Sequence, residues 1–364
     1  MRTIKFITTV CWVVTALVLA GLALWFLTGS MFGIKLGGIN SGFSAGFSFS
    51  GIESLTGPFV EAGTYSVPPG GIKSLDIDWV SGEITVVPYD GNEIKFTEYA
   101  QRELQEDEKV KFEISGNTLR IKYLDGQSWV RIVTKKLEVF IPTELSQNFD
   151  SLIVDSASAD IRVEGMITSD MKLDSVSGAI RLSEITAIKL SSDTASGSID
   201  YAYVSADTMR VNSVSGSVKM NNCTAKKLKT DSTSGDNIIS GSFEDISIDT
   251  ISGKSVLDNS HSGSIVSVDS TSGDMELSGS FHSMDLDTMS GKITVVSSMV
   301  PIKFDSDTTS GDVKLTIPNE GTVSVNHSAA SGKLTSDIPV TMVNRGSAQL
   351  RFSSISGNVR IMES

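Results

Sequence analysis

Asp231-Ser-Thr-Ser-Gly235, Asp249-Thr-Ile-Ser-Gly253 and Asp269-Ser-Thr-Ser-Gly273 are three consecutive copies of one pattern. The same pattern begins at Asp174, Asp193, Asn212, Asp287 and Asp307, and ends at Gly178, Gly197, Gly216, Gly291 and Gly311. Looser copies end at Gly332 and Gly357, a degenerate one at Ala159, and an early one at Gly82. From Ala159 to Gly311 the spacings are 19, 19, 19, 19, 18, 20, 18 and 20 residues. A fixed period of this size is the signature of a solenoid.

Alignment on the glycine shows what each copy builds. Apolar residues stand seven and five places before it, as in Met209/Val211 and Ile246/Ile248. They recur two and four places after it, as in Ile180/Leu182 and Ile293/Val295. Alternation with period two on both sides means two strands, each with one face inward, joined by a turn. A further apolar residue, such as Ile185, Val204, Phe243 or Phe281, marks a third side. The expected fold is all-β: a right-handed parallel β-helix over 151–364 with about 19 residues per coil, the hand following from the rule for parallel crossovers.

Within the turn, the Asp can accept hydrogen bonds from following backbone N–H groups, hydroxyls of the following Ser/Thr and of the Ser177-type positions complete the turn, and the Gly can take positive φ. Asp174, Asp193, Asn212, Asp231, Asp249, Asp269, Asp287 and Asp307 therefore read as a structural turn ladder, with Asp78 and Asp155 in the same register. A sharper reading is calcium held between coils by Asp231, Asp249, Asp269 and Asp287. Against it, the Gly-Gly-x-Gly-x-Asp repeat of calcium-binding β-rolls is absent. The Ser before each glycine, from Ser158 to Ser356, reads as a stacked hydroxyl ladder. A nucleophile would need one serine unlike the others and a nearby base. The three histidines, His261, His282 and His327, have no distinctive acid beside them in sequence. No catalytic residue, cofactor or cofactor-binding residue is expected.

The chain has 364 residues and a formal net charge of −13. Arg2, Lys5 and Lys35 are the only charges in the first 35 residues, leaving 27 basic against 43 acidic residues beyond them. Such an acidic body excludes nucleic acid as a partner, because phosphates need basic groups. Phe6 to Leu27 carries no charge, long enough to cross a bilayer as a helix. With Arg2 and Lys5 before it, the N-terminus is expected in the cytoplasm and everything downstream outside. The expected organisation is a cytoplasmic stub (1–5), a single-pass transmembrane anchor (6–28), a Gly/Ser/Phe-rich tether (29–59), a short-strand β-rich cap (60–150) and the solenoid (151–364). Gly42-Phe-Ser-Ala-Gly46 matches a nucleophile-elbow pattern, but it lies in the tether without the strand and helix that motif requires. Two cysteines, Cys11 in the apolar run and Cys223 in the repeats, are not expected to pair.

The Leu137-Glu-Val-Phe-Ile-Pro142 strand, followed by Ser-Gly-x-Ile/Val repeats after an N-terminal anchor, resembles a bacterial toastrack-like domain of unknown function that carries an adhesin label. The layout is similar to LiaG-type envelope proteins, and the likeness covers roughly residues 60–362. The resemblance implies a cell-envelope protein associated with envelope stress, with other envelope membrane proteins as partners. The resulting expectation is a membrane-anchored, non-enzymatic scaffold or sensor. The alternatives are an adhesin or surface ligand-binding rod, and a wall-polysaccharide-processing enzyme.

Overall fold

The computed structural model describes residues 52–53, 57–123 and 132–364. The expected anchor over 6–28 and nearly all of the tether lie outside them. No helix among the described residues is long and apolar enough to cross a membrane. The described residues divide into two compact units, one ending at Ala179 and one spanning Ile180–Ser364. Parallel β-coiling runs through both, and coils about 19 residues apart follow one another in register in the second.

In the first unit, Phe149–Ser156 pairs in parallel with both Ser74–Trp79 and Ile167–Ser175. Thr118–Lys122 extends this side beyond Ser74–Trp79, also in parallel. On the next side, Gly82–Tyr89 pairs in parallel with Asp160–Glu164 and with Lys135–Pro142. Parallel coiling therefore includes strands before residue 149. Antiparallel strands cover the edges of these stacks: Ile94–Ala100 on Lys135–Pro142, Val60–Val67 outside that, and Lys111–Ser115 on Thr118–Lys122. Covered edges leave fewer unpaired backbone groups for other chains to add to.

Among the described residues, the core of this unit holds a fully buried ion pair. Glu98 and Lys135 are 0% and 1% exposed, with Lys135 Nζ 2.6 Å from Glu98 Oε1. Glu98 Oε2 accepts from the Val110 N–H at 3.1 Å, and Lys135 Nζ donates to the Glu108 carbonyl at 2.8 Å. The ammonium also lies 3.8 Å from the Tyr123 ring centroid and 5.0 Å from that of Trp79. Burial pulls the Lys135 pKa down, and the Glu98 carboxylate opposes it. Such a pair tolerates burial when further polar groups partner its charges, as the Val110 amide and the Glu108 carbonyl do here.

In the second unit, single bent strands form almost complete coils. Ile180–Thr194, Ile199–Ser213 and Val218–Ser232 are each 15 residues long and pair residue by residue. Asn237–Thr250, Ser255–Ser270 and Met275–Thr288 continue the stack through irregular registers. Inward residues such as Val204, Met209, Val211, Phe243 and Phe281 are buried. Each large aliphatic or aromatic side chain so buried contributes about 1.5–3 kcal/mol. Cys223 is among these inward residues, and burial pushes its thiol pKa up.

The end of the chain departs from sequence order. Leu350–Ser356 pairs with Lys303–Thr308 on one side and with Val323–Ser331 on the other. Val359–Glu363 likewise lies between Val313–Ile317 and Leu334–Ser336. The last coil in sequence is thus inserted between the two that precede it. Phe352 packs on Phe304 at 5.2 Å within this insertion.

Candidate functional site

The repeated turn is the feature that dominates the sequence, and its atoms show how it works. Its amide acceptor is the Ser/Thr hydroxyl three places before the glycine, rather than the Asp carboxylate expected from turn chemistry. Gly178 N–H donates to Ser175 Oγ at 2.9 Å, Gly216 to Ser213 Oγ at 2.9 Å and Gly273 to Ser270 Oγ at 2.8 Å. Gly197, Gly235, Gly253 and Gly291 make the same bond to Thr194, Ser232, Thr250 and Thr288. The Ser before the glycine donates across to the next coil, as Ser215 Oγ does to the Ala195 carbonyl at 3.2 Å and Ser252 Oγ to the Thr233 carbonyl at 3.3 Å.

Positive φ is not what selects the turn glycines Gly178, Gly197, Gly216, Gly235, Gly253, Gly273, Gly291 and Gly311, since none of these adopts it. Close stacking selects them. A Cβ on Gly235 would lie 2.0 Å from the Gly216 carbonyl oxygen, and one on Gly253 would lie 2.0 Å from that of Gly235. Gly311 meets Gly291 in the same way at 1.9 Å. The chain of contacts then runs to Gly357, and from Gly357 to Gly332, following spatial rather than sequence order.

The acids form two ladders, one in each unit. In the first unit Asp155 pairs in register with Asp78 and with Asp174. In the second, Asp193, Asn212, Asp231, Asp249, Asp269, Asp287 and Asp307 follow one another in register. Stacked carboxylates repel, and burial adds to the cost of charge. Asp269 is accordingly pushed up to about 7, by burial first and then by Asp249, Asp287 and Asp285. Asp155 is pushed up to about 6, by burial and then by Asp174.

Other rungs are relieved by partners. Asn212 Nδ2 donates to Asp193 Oδ1, and Lys172 pairs with Asp174. Lys229 Nζ lies 3.0 Å from both Asp231 and Asp249. Of the four residues considered for calcium, Asp231 and Asp249 thus share an ammonium, while Asp269 has the proton affinity of a neutral carboxyl below about pH 7. Asp76, Asp78 and Asp155 bring one oxygen each within 4.8 Å, and Arg120 Nε sits 3.2 Å from Asp76.

A second corner was not anticipated from the sequence. Six residues after the turn glycine, Glu184, Tyr203 and Asn222 have φ of 56°, 56° and 53°. They stand at the same place in three consecutive coils, between rows that pair in register. All three are exposed, Tyr203 by 62%. The histidines are scattered: His261 and His282 lie in the strands Ser255–Ser270 and Met275–Thr288, and His327 lies in Val323–Ser331.

The profile of a family described as Toastrack DUF4097 matches residues 72–242 and 237–361. Among solved structures, a "putative adhesin" from Bacteroides fragilis is 16% identical, covering 66% of this chain and 97% of its own, with a TM-score of 0.42. A "putative adhesin" from Parabacteroides distasonis is 12% identical, covering 84% of this chain and 97% of its own, with a TM-score of 0.42. A "putative lipid binding protein" from the same organism is 11% identical, covering 83% and 96%, with a TM-score of 0.40. No curated protein matches the chain.

Proposed function

The chain belongs to the Toastrack DUF4097 family, and from that footing we propose that it is a non-enzymatic scaffold of the bacterial cell envelope. In this reading the N-terminal apolar run anchors it in the membrane, and the solenoid stands outside, where it engages other envelope membrane proteins under envelope stress. One observation carries the scaffold reading. The residues that recur most strictly are engaged in shaping the turn and in holding coil on coil. The Ser/Thr hydroxyls receive the glycine amides, the preceding serines bond to neighbouring coils, and the glycines permit backbone contact. Repetition here serves stacking, which is how a solenoid extends a surface. The charge-free run behind Arg2 and Lys5, with an acidic body after it, supports the orientation.

The test is in-cell crosslinking of the full chain, with mass spectrometry of captured proteins before and after an envelope-active antibiotic. The scaffold reading predicts a membrane stress-response protein in the capture. Capture of wall glycan or foreign surface molecules alone would overturn it in favour of adhesion or glycan processing.

A further inference from the structure

Glu184, Tyr203 and Asn222 hold side chains where the backbone favours none. The left-handed region brings Cβ of an L-residue close to the carbonyl oxygen, and bulky residues rarely adopt it. Glycine has no such cost. Three other copies of the repeat have glycine six places on, and two of these take positive φ: Gly165 at 63° and Gly279 at 153°, while Gly241 does not. Asparagine tolerates the conformation, but glutamate and tyrosine are not favoured there. Packing does not account for them, because all three side chains face solvent. Strain retained at an exposed place is a pointer to function.

We propose that Glu184, Tyr203 and Asn222 form a binding strip for an uncharged saccharide. A sugar ring stacks on the Tyr203 phenol, whose face is apolar and whose tip is polar. Parallel strands stand about 4.8 Å apart, so Glu184 and Asn222 flank that ring on either side. The Glu184 carboxylate accepts hydrogen bonds from ring hydroxyls, and the Asn222 amide both donates and accepts. A row of hydroxyls, Thr186, Ser205 and Thr224, pairs in register beside the strip and adds further donors and acceptors. The net charge of −13 disfavours acidic polymers and leaves neutral glycans. The strip spans three coils, so it presents a linear site suited to a chain of sugars rather than a closed pocket for one.

The conformation itself supplies the discriminating variant. Tyr203→Gly removes the stacking face while relieving the strained backbone, so lost binding cannot be blamed on lost folding. Saturation-transfer NMR and calorimetric titration would be run on the full chain with chitotetraose and with cellotetraose. The two probes separate N-acetylated from plain hexose chains. The wild type is expected to bind at least one of them. Tyr203→Phe is expected to retain that binding. Tyr203→Gly is expected to melt at the same temperature or higher and to bind about tenfold more weakly or worse, the loss of about 1.4 kcal/mol. Absence of binding to both probes by the wild type, or equal binding by Tyr203→Gly, would overturn the proposal. The crosslinking test of the scaffold reading is independent of this outcome, since the strip is not needed to capture a protein partner.

Discussion

Replacing Gly273 by alanine tests the close stacking of the turns. The added Cβ would lie 1.9 Å from the Gly253 carbonyl oxygen, 2.9 Å from its carbon and 3.1 Å from Ser270 Oγ. Carbon and oxygen settle at about 3.3 Å or more even in their closest favourable contacts. Neither atom at the clash is the end of a flexible side chain, so the turn must lift from its neighbour. Three bonds hold it down: Thr271 N–H to the Thr250 carbonyl at 3.3 Å, Ser272 N–H to the Ile251 carbonyl at 2.9 Å, and the Ser272 hydroxyl to the same Ile251 carbonyl at 3.3 Å. At about 1 kcal/mol each, their loss costs about 3 kcal/mol. The control is Gly346→Ala, which meets no atom within 4 Å and has no left-handed φ; it should change stability by less than about 0.5 kcal/mol. The assay is urea unfolding of the full chain followed by circular dichroism. Coincident midpoints for Gly273→Ala and Gly346→Ala would refute the claim that close approach selects these glycines.

Three further outcomes follow from the same geometry. Glu184→Gly should stabilise the chain by about 0.5–1 kcal/mol, relief of the left-handed backbone outweighing the added freedom of the unfolded state, as read from urea midpoints. Lys135→Met should cost about 3–5 kcal/mol by leaving Glu98 charged and unpaired in the core, and Lys135→Met with Glu98→Gln should recover part of that loss. Asp269 has a pKa raised from 3.8 to about 7, so the folded state binds its proton more tightly than the unfolded state. Its stabilising protonation is complete below about pH 4 and is lost as pH rises through about 7. Asp269→Asn should therefore raise stability at pH 8 by on the order of 1–3 kcal/mol, and change it little at pH 4, in parallel melting curves.

The coil was legible because two signals agreed. The glycine period set its length, and the paired apolar positions on either side set the inward faces, as Met209/Val211 and Ile180/Leu182 show. The turn was located correctly, but the bond inside it went to a neighbour. Asp and the Ser/Thr after it recur together, and a single sequence does not say which oxygen meets the amide. The glycines were read for positive φ because that is glycine's common use, whereas here a backbone approach between coils excludes Cβ. That contact joins residues on neighbouring coils, 18 or more apart in sequence, so local turn rules cannot reveal it.

The C-terminal insertion was hidden for a related reason. Copies ending at Gly332 and Gly357 both read as coils, and the repeat carries no mark of spatial order. The Glu98–Lys135 pair had no local signal, since Glu98 and Lys135 are brought together by antiparallel pairing of Ile94–Ala100 with Lys135–Pro142. The second corner did leave a trace. Gly165, Gly241 and Gly279 all stand six places after a repeat position, and that column contains Glu184, Tyr203 and Asn222. Five of these six positions take positive φ, all but Gly241, and among them Tyr203 is the residue that needs explaining.

The most direct test of the account is the order of the last coils, because contacts between backbones, rather than chain order, define the stack. In a chain with Cys11 and Cys223 changed to alanine, cysteines would be placed two at a time at Lys314, Thr335 and Arg360. Arg360 pairs in register with both Lys314 and Thr335. Neighbouring parallel strands fall within the Cα range a disulfide can span, and strands two coils apart do not. Oxidation is expected to link 314 to 360 and 335 to 360, and to leave 314 and 335 unlinked. A disulfide between 314 and 335, with none from 335 to 360, would show coils stacked in sequence order and contradict the account.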